Sequence, residues 1–203
     1  MKSWEKYQGL LMTGNWHVHS NYTDGQDSVL RMCDAAVGAR LPLLAFTEHV
    51  RKELSYDFDA FLSDLKSVRA AFPEIVILSG CEAKILPGGD IDAPPELIKT
   101  VDYPIVSFHS FEGGRDEYLE ALKKAVNVPE VCAWGHPGAL AEKRAFEFSD
   151  EELNEVFGIM AKNKVLLESN EKYGVPKKDW EDLAVNAGVS LVRGRDSHST
   201  GDI

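Results

Sequence analysis

The chain has 203 residues, 44% hydrophobic and 27% charged, enough to bury one full core and ordinary for a globular domain. Its net charge of −11 argues against a broad nucleic-acid surface, which needs clustered Lys and Arg, although bound divalent cations would reverse that sign locally. Cys33, Cys81 and Cys132 are widely spaced and odd in number, which supports neither a disulfide framework nor a thiolate zinc site. The N-terminus lacks the apolar run of a signal peptide and no stretch is long enough to span a membrane, so a cytoplasmic protein is expected.

Short apolar runs with β-branched or aromatic content occur at 16–18, 41–46, 75–78, 103–108, 131–134, 165–167 and 189–192, each the size of a buried strand. Helical spacing fills the gaps between them. Val29, Met32, Cys33 and Ala36 follow the cap candidate Ser28. Phe58, Phe61, Leu62 and Leu65 form the next stripe, and Tyr118, Ala121, Leu122 and Ala125 another. Leu153, Val156, Phe157 and Met160 stand behind a capping-box pair, Ser149 and Glu152. Trp180, Leu183, Ala184 and Ala187 begin near Pro176 and are stopped by Gly188. Strands alternating with helices imply parallel pairing through right-handed crossovers. A closed or nearly closed α/β barrel is expected, with an open doubly wound sheet as the competitor. One domain over 1–203 is expected, with 1–14 as an N-terminal extension and a final helix short or absent.

All six histidines fall at or just past the C-terminal end of one of these runs: His17, His19, His49, His109, His136 and His198. The third and sixth runs carry Glu82 and Glu168 at the same place, and Asp196 precedes His198 by two. Parallel α/β folds bring those ends to one rim. Residues i and i+2 of a strand share a face, so both imidazoles of His17-Val18-His19 can reach one ion. A lone histidine near a strand end is ordinarily a satisfied polar residue. Six at equivalent places are not explained that way, because imidazoles and carboxylates buried together without a cation carry a heavy desolvation cost. The mixed donor set suits zinc, manganese or iron better than calcium or magnesium. Its size exceeds what one tetrahedral ion uses, so two or three divalent ions are expected, with Glu82 as the candidate bridge.

In order and local context these residues resemble the PHP (polymerase and histidinol phosphatase) family. The matching segments are His17-Val18-His19-Ser20 with Asp24-Gly25, Thr47-Glu48-His49, Gly80-Cys81-Glu82, Gly89-Asp90-Ile91-Asp92, Ser107-Phe108-His109-Ser110, Gly135-His136-Pro137 and Asp196-Ser197-His198. The resemblance implies a distorted (β/α)7 barrel with a trinuclear site at the C-terminal rim of the strands. Carried over by position, His17, His19, Glu82 and Asp196 hold one ion, and Glu82, His109 and His136 the second. His49 and His198, with Asp24, hold the third. Asn15 and Glu48 stand where many members have Asp. Glu168 is expected to orient other groups, and Ser20 and Ser110 to support neighbouring ligands.

The implied chemistry is hydrolysis of a small phosphomonoester, histidinol phosphatase-like, by hydroxide generated on the metals. His49, His198 and Asp196 are the candidate catalytic side chains, the two histidines for stabilising the leaving oxygen. Arg51, Lys84 and Arg195 lie near strand ends and are the candidate phosphate-binding cations. A nuclease or nucleotide phosphodiesterase is the alternative, and a non-catalytic, metal-stabilised interaction module is a third reading. No membrane partner and no extended nucleic-acid contact are expected.

Overall fold

The computed structural model describes residues 1–203. Seven parallel strands follow one another round the sheet: β1 (Asn15–Val18), β2 (Leu43–Val50), β3 (Val76–Ile85), β5 (Tyr103–Ser107), β6 (Ala133–Trp134), β7 (Leu166–Asn170) and β8 (Leu191–Gly194). The two-residue β4 (Ile91–Asp92) folds back antiparallel on the end of β3. Between the strands run α1 (Val29–Gly38), α2 (Phe58–Ala71), α3 (Pro95–Thr100), α4 (Arg115–Ala125), α5 (Ala139–Lys143), α6 (Asp150–Asn163) and α7 (Lys178–Asn186). No helix is long and apolar enough to cross a membrane.

The sheet curls until its first and last strands touch, so the architecture is a barrel and not an open doubly wound sheet. At the seam the His19 N–H donates to the Ser197 carbonyl at 2.8 Å and the Ser197 N–H to the His17 carbonyl at 3.1 Å. Asn15 Nδ2 adds a side-chain bond to Ser197 Oγ at 2.8 Å. These few bonds replace a continuous ladder, which makes the closure partial.

The helices form where local chemistry favours them. Ser28 caps α1, and at α6 Ser149 Oγ accepts from the Glu152 N–H while Glu152 accepts from the Ser149 N–H. The apolar stripe of α6 is buried, as is that of α1. The α7 stripe is weaker: only Ala184 is fully buried, and the helix opens at Lys178, two residues past Pro176. All three cysteines are buried and unpaired.

Inside the barrel, alternation along each strand builds an apolar layer below a polar one. Leu78 lies below Glu82 on β3, and Leu166 below Glu168 on β7. The lower layer also holds Trp16, Tyr103, Ile105 and Val192, and Trp4 and Leu11 of the N-terminal segment pack into it. Ser3–Leu10 is therefore a 3-10 helical plug under the barrel. The β1–β2 register slips between Asn15 and Val18. Trp16 then packs on Tyr103 in the lower layer while His17, the next residue, joins the polar rim.

Candidate metal centre

Four donors meet at the mouth of the barrel. His17 Nε2 and His19 Nε2 are 3.1 Å apart. Glu82 Oε2 stands 3.5 Å from each of them. Asp196 Oδ1 stands 3.4 Å from His17 Nε2 and 3.2 Å from His19 Nε2. A tetrahedron with metal–ligand bonds of about 2.1 Å has edges of about 3.4 Å, so this spacing fits one ion. The chemistry agrees with the geometry. Both Glu168 oxygens lie 3.0 Å from His17 Nδ1, which keeps a proton there and leaves Nε2 as the nitrogen that faces His19 and can give a lone pair to a cation. Glu82 Oε2, His19 Nδ1 and His49 Nδ1 are buried with no hydrogen-bond partner. Such orphaned donors are costly unless a cation joins them.

The electrostatics carry the same demand for positive charge. Burial opposes protonation of His17, yet Glu168, Glu82 and Asp196 outweigh it and hold the imidazole well above its usual range. Burial pushes His19 down to about 4. Burial would raise the carboxyls of Glu82 and Asp196, but the surrounding imidazoles hold both below the ordinary range.

Around this cage the remaining histidines form two further groups. His109 Nε2 lies 3.2 Å and His49 Nδ1 3.1 Å from Glu82 Oε2. His136 Nε2 meets the other Glu82 oxygen at 2.8 Å. On the outer side, His49 Nε2 and His198 Nε2 are each 3.3 Å from an Asp24 oxygen, and His19 Nδ1 is 3.9 Å from one. The donor groupings that can hold an ion join Glu82 and His109 with His49, whereas position alone joins them with His136. The reason is that the His49 ring lies between Glu82 and Asp24 and offers one nitrogen to each.

Several residues hold these donors in place. Glu168 accepts from the His136 N–H at 2.7 Å and from Asn170 Nδ2 at 2.8 Å in addition to His17. A side chain at Gly194 would stand 1.8 Å from Glu168 Oε1, so only glycine lets the carboxylate cross β8. Glu48 points to the opposite face from His49, where it accepts from the Ser20 N–H and Oγ at 2.8 and 2.6 Å and from Thr23 Oγ1 at 2.5 Å. That ties down the loop presenting Asp24, and burial pushes the Glu48 carboxyl up to about 7. His136 and Asp196 both have left-handed backbone, at φ 29° and 48°. For non-glycine residues this costs about 1–3 kcal/mol each and is typical of functional positions.

The cluster forms the floor of a cavity of about 450 Å³ walled by Phe108, Leu140, Lys143, Lys172 and Tyr173. Arg51, Lys84 and Arg195 do not line it. Arg51 donates to the Val50 carbonyl and faces Asp92, and Lys84 donates to Ser110 Oγ at 2.6 Å. Arg195 is turned outward onto Glu171 and the Ile203 carbonyl. Ser110 therefore supports a lysine and not a ligand. The cavity cations are Lys143 and Lys172, which no motif or periodicity singles out.

A model of the PHP domain matches residues 15–172. The chain is 28% identical over 197 residues to the DNA polymerase/3'-5' exonuclease PolX of Bacillus subtilis, covering 92% of this chain and 34% of that protein. It is 30% identical over 139 residues to a probable phosphatase of Caldicellulosiruptor bescii, covering 64% of this chain and 55% of the relative. Against a probable phosphatase of Aliivibrio fischeri it is 26% identical over 201 residues, with 92% and 78% covered. The chain thus spans well under two thirds of the first two relatives. In fold it matches the histidinol phosphate phosphatase of Lactococcus lactis, solved with zinc, L-histidinol and phosphate. The TM-score is 0.71 at 21% identity, covering 93% of this chain and 87% of that one.

Proposed function

The chain belongs to the PHP domain family, and from that premise we propose that it is a metal-dependent phosphoesterase hydrolysing a small phosphomonoester. The observation that carries the reading is the gathering of His17, His19, Glu82 and Asp196, of which Glu82 and Asp196 line an open cavity of about 450 Å³. Glu82 with His109 and either His136 or His49 would hold a second ion, and Asp24 with His198 and His49 a third. Zinc, manganese and iron suit this mixture of imidazole and carboxylate. When bound, divalent ions supply Lewis-acid polarisation of phosphoryl oxygens and make water acidic near neutral pH.

The protein's own groups do the orienting. Glu168 holds a proton on His17 Nδ1, so Nε2 is the nitrogen that presents a lone pair whenever the ring is neutral, as a bound cation requires. The His198 Nδ1 donates to the Asp196 carbonyl at 2.8 Å, which leaves His198 Nε2 as the nitrogen facing Asp24 and the cavity. That atom and His49 Nε2 are placed to hold a proton for the leaving oxygen when no cation occupies them. Phe108 and Leu140 give the cavity two apolar stretches of wall against which the non-phosphoryl part of a substrate can pack.

A second reading, hydrolysis of a phosphodiester, is favoured by the Bacillus subtilis relative, which carries exonuclease in its name and matches 92% of this chain. The charge of −11 restricts such a substrate to a short one. The test is metal analysis joined to a panel of monoesters including histidinol phosphate, dinucleotides and short DNA, with His19→Ala and Asp196→Asn as controls. Monoester turnover that requires metal and both residues supports the first reading. Turnover confined to diesters transfers the assignment to the second. Full metal loading with no turnover of either would sink both and leave a metal-stabilised interaction module.

A further inference from the structure

Among the cations expected near the rim, Arg51, Lys84 and Arg195 are all engaged elsewhere. Lys172 is not. It sits just past β7, lines the cavity and keeps 41% of its side chain exposed. Its ammonium lies 3.0 Å from the Asp196 carbonyl oxygen, 3.3 Å from Asp196 Oδ2 and 3.3 Å from His198 Nδ1. The last contact is not a hydrogen bond. His198 Nδ1 is 2.8 Å from the Asp196 carbonyl, which can only accept, so Nδ1 carries the proton and has no lone pair for the ammonium. One of the three ammonium N–H groups therefore has no acceptor in the protein.

Lys172 is also poorly suited to be a mere tether for Asp196. The Tyr173 hydroxyl already fixes Asp196 Oδ2 at 2.7 Å. The ammonium contacts are longer than the usual charge-assisted bond of about 2.7–2.9 Å. A cation with a free donor, beside a donor cage and facing a cavity, is a binding group waiting for an anion. Lysine serves that purpose as a point charge, without the bidentate geometry of arginine.

We infer that Lys172 binds the phosphoryl oxygens of the substrate, while the Tyr173 hydroxyl stays committed to Asp196 Oδ2. This rests on the phosphoesterase reading and adds to it the residue that selects an anion at the cavity wall. The Lys172 ammonium lies over the Tyr173 ring, with Nζ 5.3 Å from its centre, which steadies it at that wall.

The test uses the full chain loaded with zinc and inorganic phosphate as the probe, followed by calorimetry, with metal content measured on the same samples. Lys172→Ala should weaken phosphate binding about tenfold or more, the range of a hydrogen bond to a charged group, with metal content unchanged. Lys172→Arg should recover part of the affinity, and Tyr173→Phe should lose less. On a hydrolysed monoester, Lys172→Ala should raise KM more than it lowers kcat. Equal phosphate affinity in Lys172→Ala and the wild type overturns the inference, as does a wild type that binds no phosphate. A loss that tracks lost metal also overturns it, because Lys172 would then act only through Asp196. So does a loss in Lys143→Ala with none in Lys172→Ala. Lys172-dependent phosphate binding by a chain that hydrolyses no phosphoester would sustain this subsite while the proposed hydrolysis fell.

Discussion

Replacing Glu168 by Gln tests whether a residue that touches no other cage donor's lone pair nevertheless governs the cage. Glu168 is 2% exposed and accepts four contacts, from His17 Nδ1 twice, the His136 N–H and Asn170 Nδ2. All of these partners are donors, and Gln offers only one accepting oxygen. Whichever way the amide turns, its NH₂ faces either the His136 N–H or the Asn170 amide. A buried donor left against a donor costs about 1–3 kcal/mol, and for a chain of this size each kcal/mol lowers Tm by about 2–4 °C. The larger effect should fall on the ion. Loss of an outer carboxylate from a ligating histidine costs about 10–100-fold in metal affinity, equivalent to about 1.4–2.8 kcal/mol. Competition with a chromogenic chelator reads that affinity, and a denaturant series on chelated protein reads stability separately. Zinc affinity within twofold of the wild type in Glu168→Gln would refute the claim that Glu168 sets the His17 tautomer.

Gly194→Ala should act through the same carboxylate: its methyl would stand 1.8 Å from Glu168 Oε1, and ordinary contact begins near 3.4 Å. Glu168 must withdraw, so metal affinity should fall at least as far as in Glu168→Gln; unchanged metal binding would show that the crossing of β8 is not needed. The chelated protein should lose stability as pH rises from about 6 to about 8. His17 is held above its usual value and Glu48 is pushed up to about 7, so both contribute fully below their ordinary values of about 6.5 and 4.3 and are lost as pH rises through the folded ones. The carboxylates of Glu82 and Asp196, held low, are already ionised throughout that window. Zinc binding strengthens with pH as ligands deprotonate, so the loaded protein should show the opposite trend; a chelated protein that gains stability over this range would contradict the account.

Most of the fold and the cluster was legible because two periodicities carried it. Alternation on β1 places His17 and His19 together, and the strand-end position of His49, Glu82, His109 and His136 follows from where each apolar run stops. The elements that escaped notice are short: α3 and α5 have six and five residues and β4 has two, too few to display a period. Asp196 and His198 copy the spacing of His17 and His19 without being a strand. β8 ends at Gly194, and a left-handed turn at Asp196, not strand alternation, aims the carboxylate inward. Arg195, the residue before it, is held on the outside by Glu171, away from the cavity. Lys172 and Tyr173 lay in a segment with no repeat, and only three-dimensional proximity to Asp196 distinguishes them.

The partial seam between β1 and β8 has a bearing on how the molecule is made. The cage draws His17 and His19 from the first strand and Asp196 from just beyond the last, while the Asn15–Ser197 bond there spans 182 positions. Glu82 and His136 are separated by only 54. During synthesis Asp196 is made after His17, His19 and Glu82, so the four-donor cage cannot be complete until the end of the barrel has been made. The ion of that cage should therefore load only once the barrel has closed. Capture of that ion then acts as a latch on a finished barrel, and amide exchange along β1 and β8 should report its removal before any other strand opens.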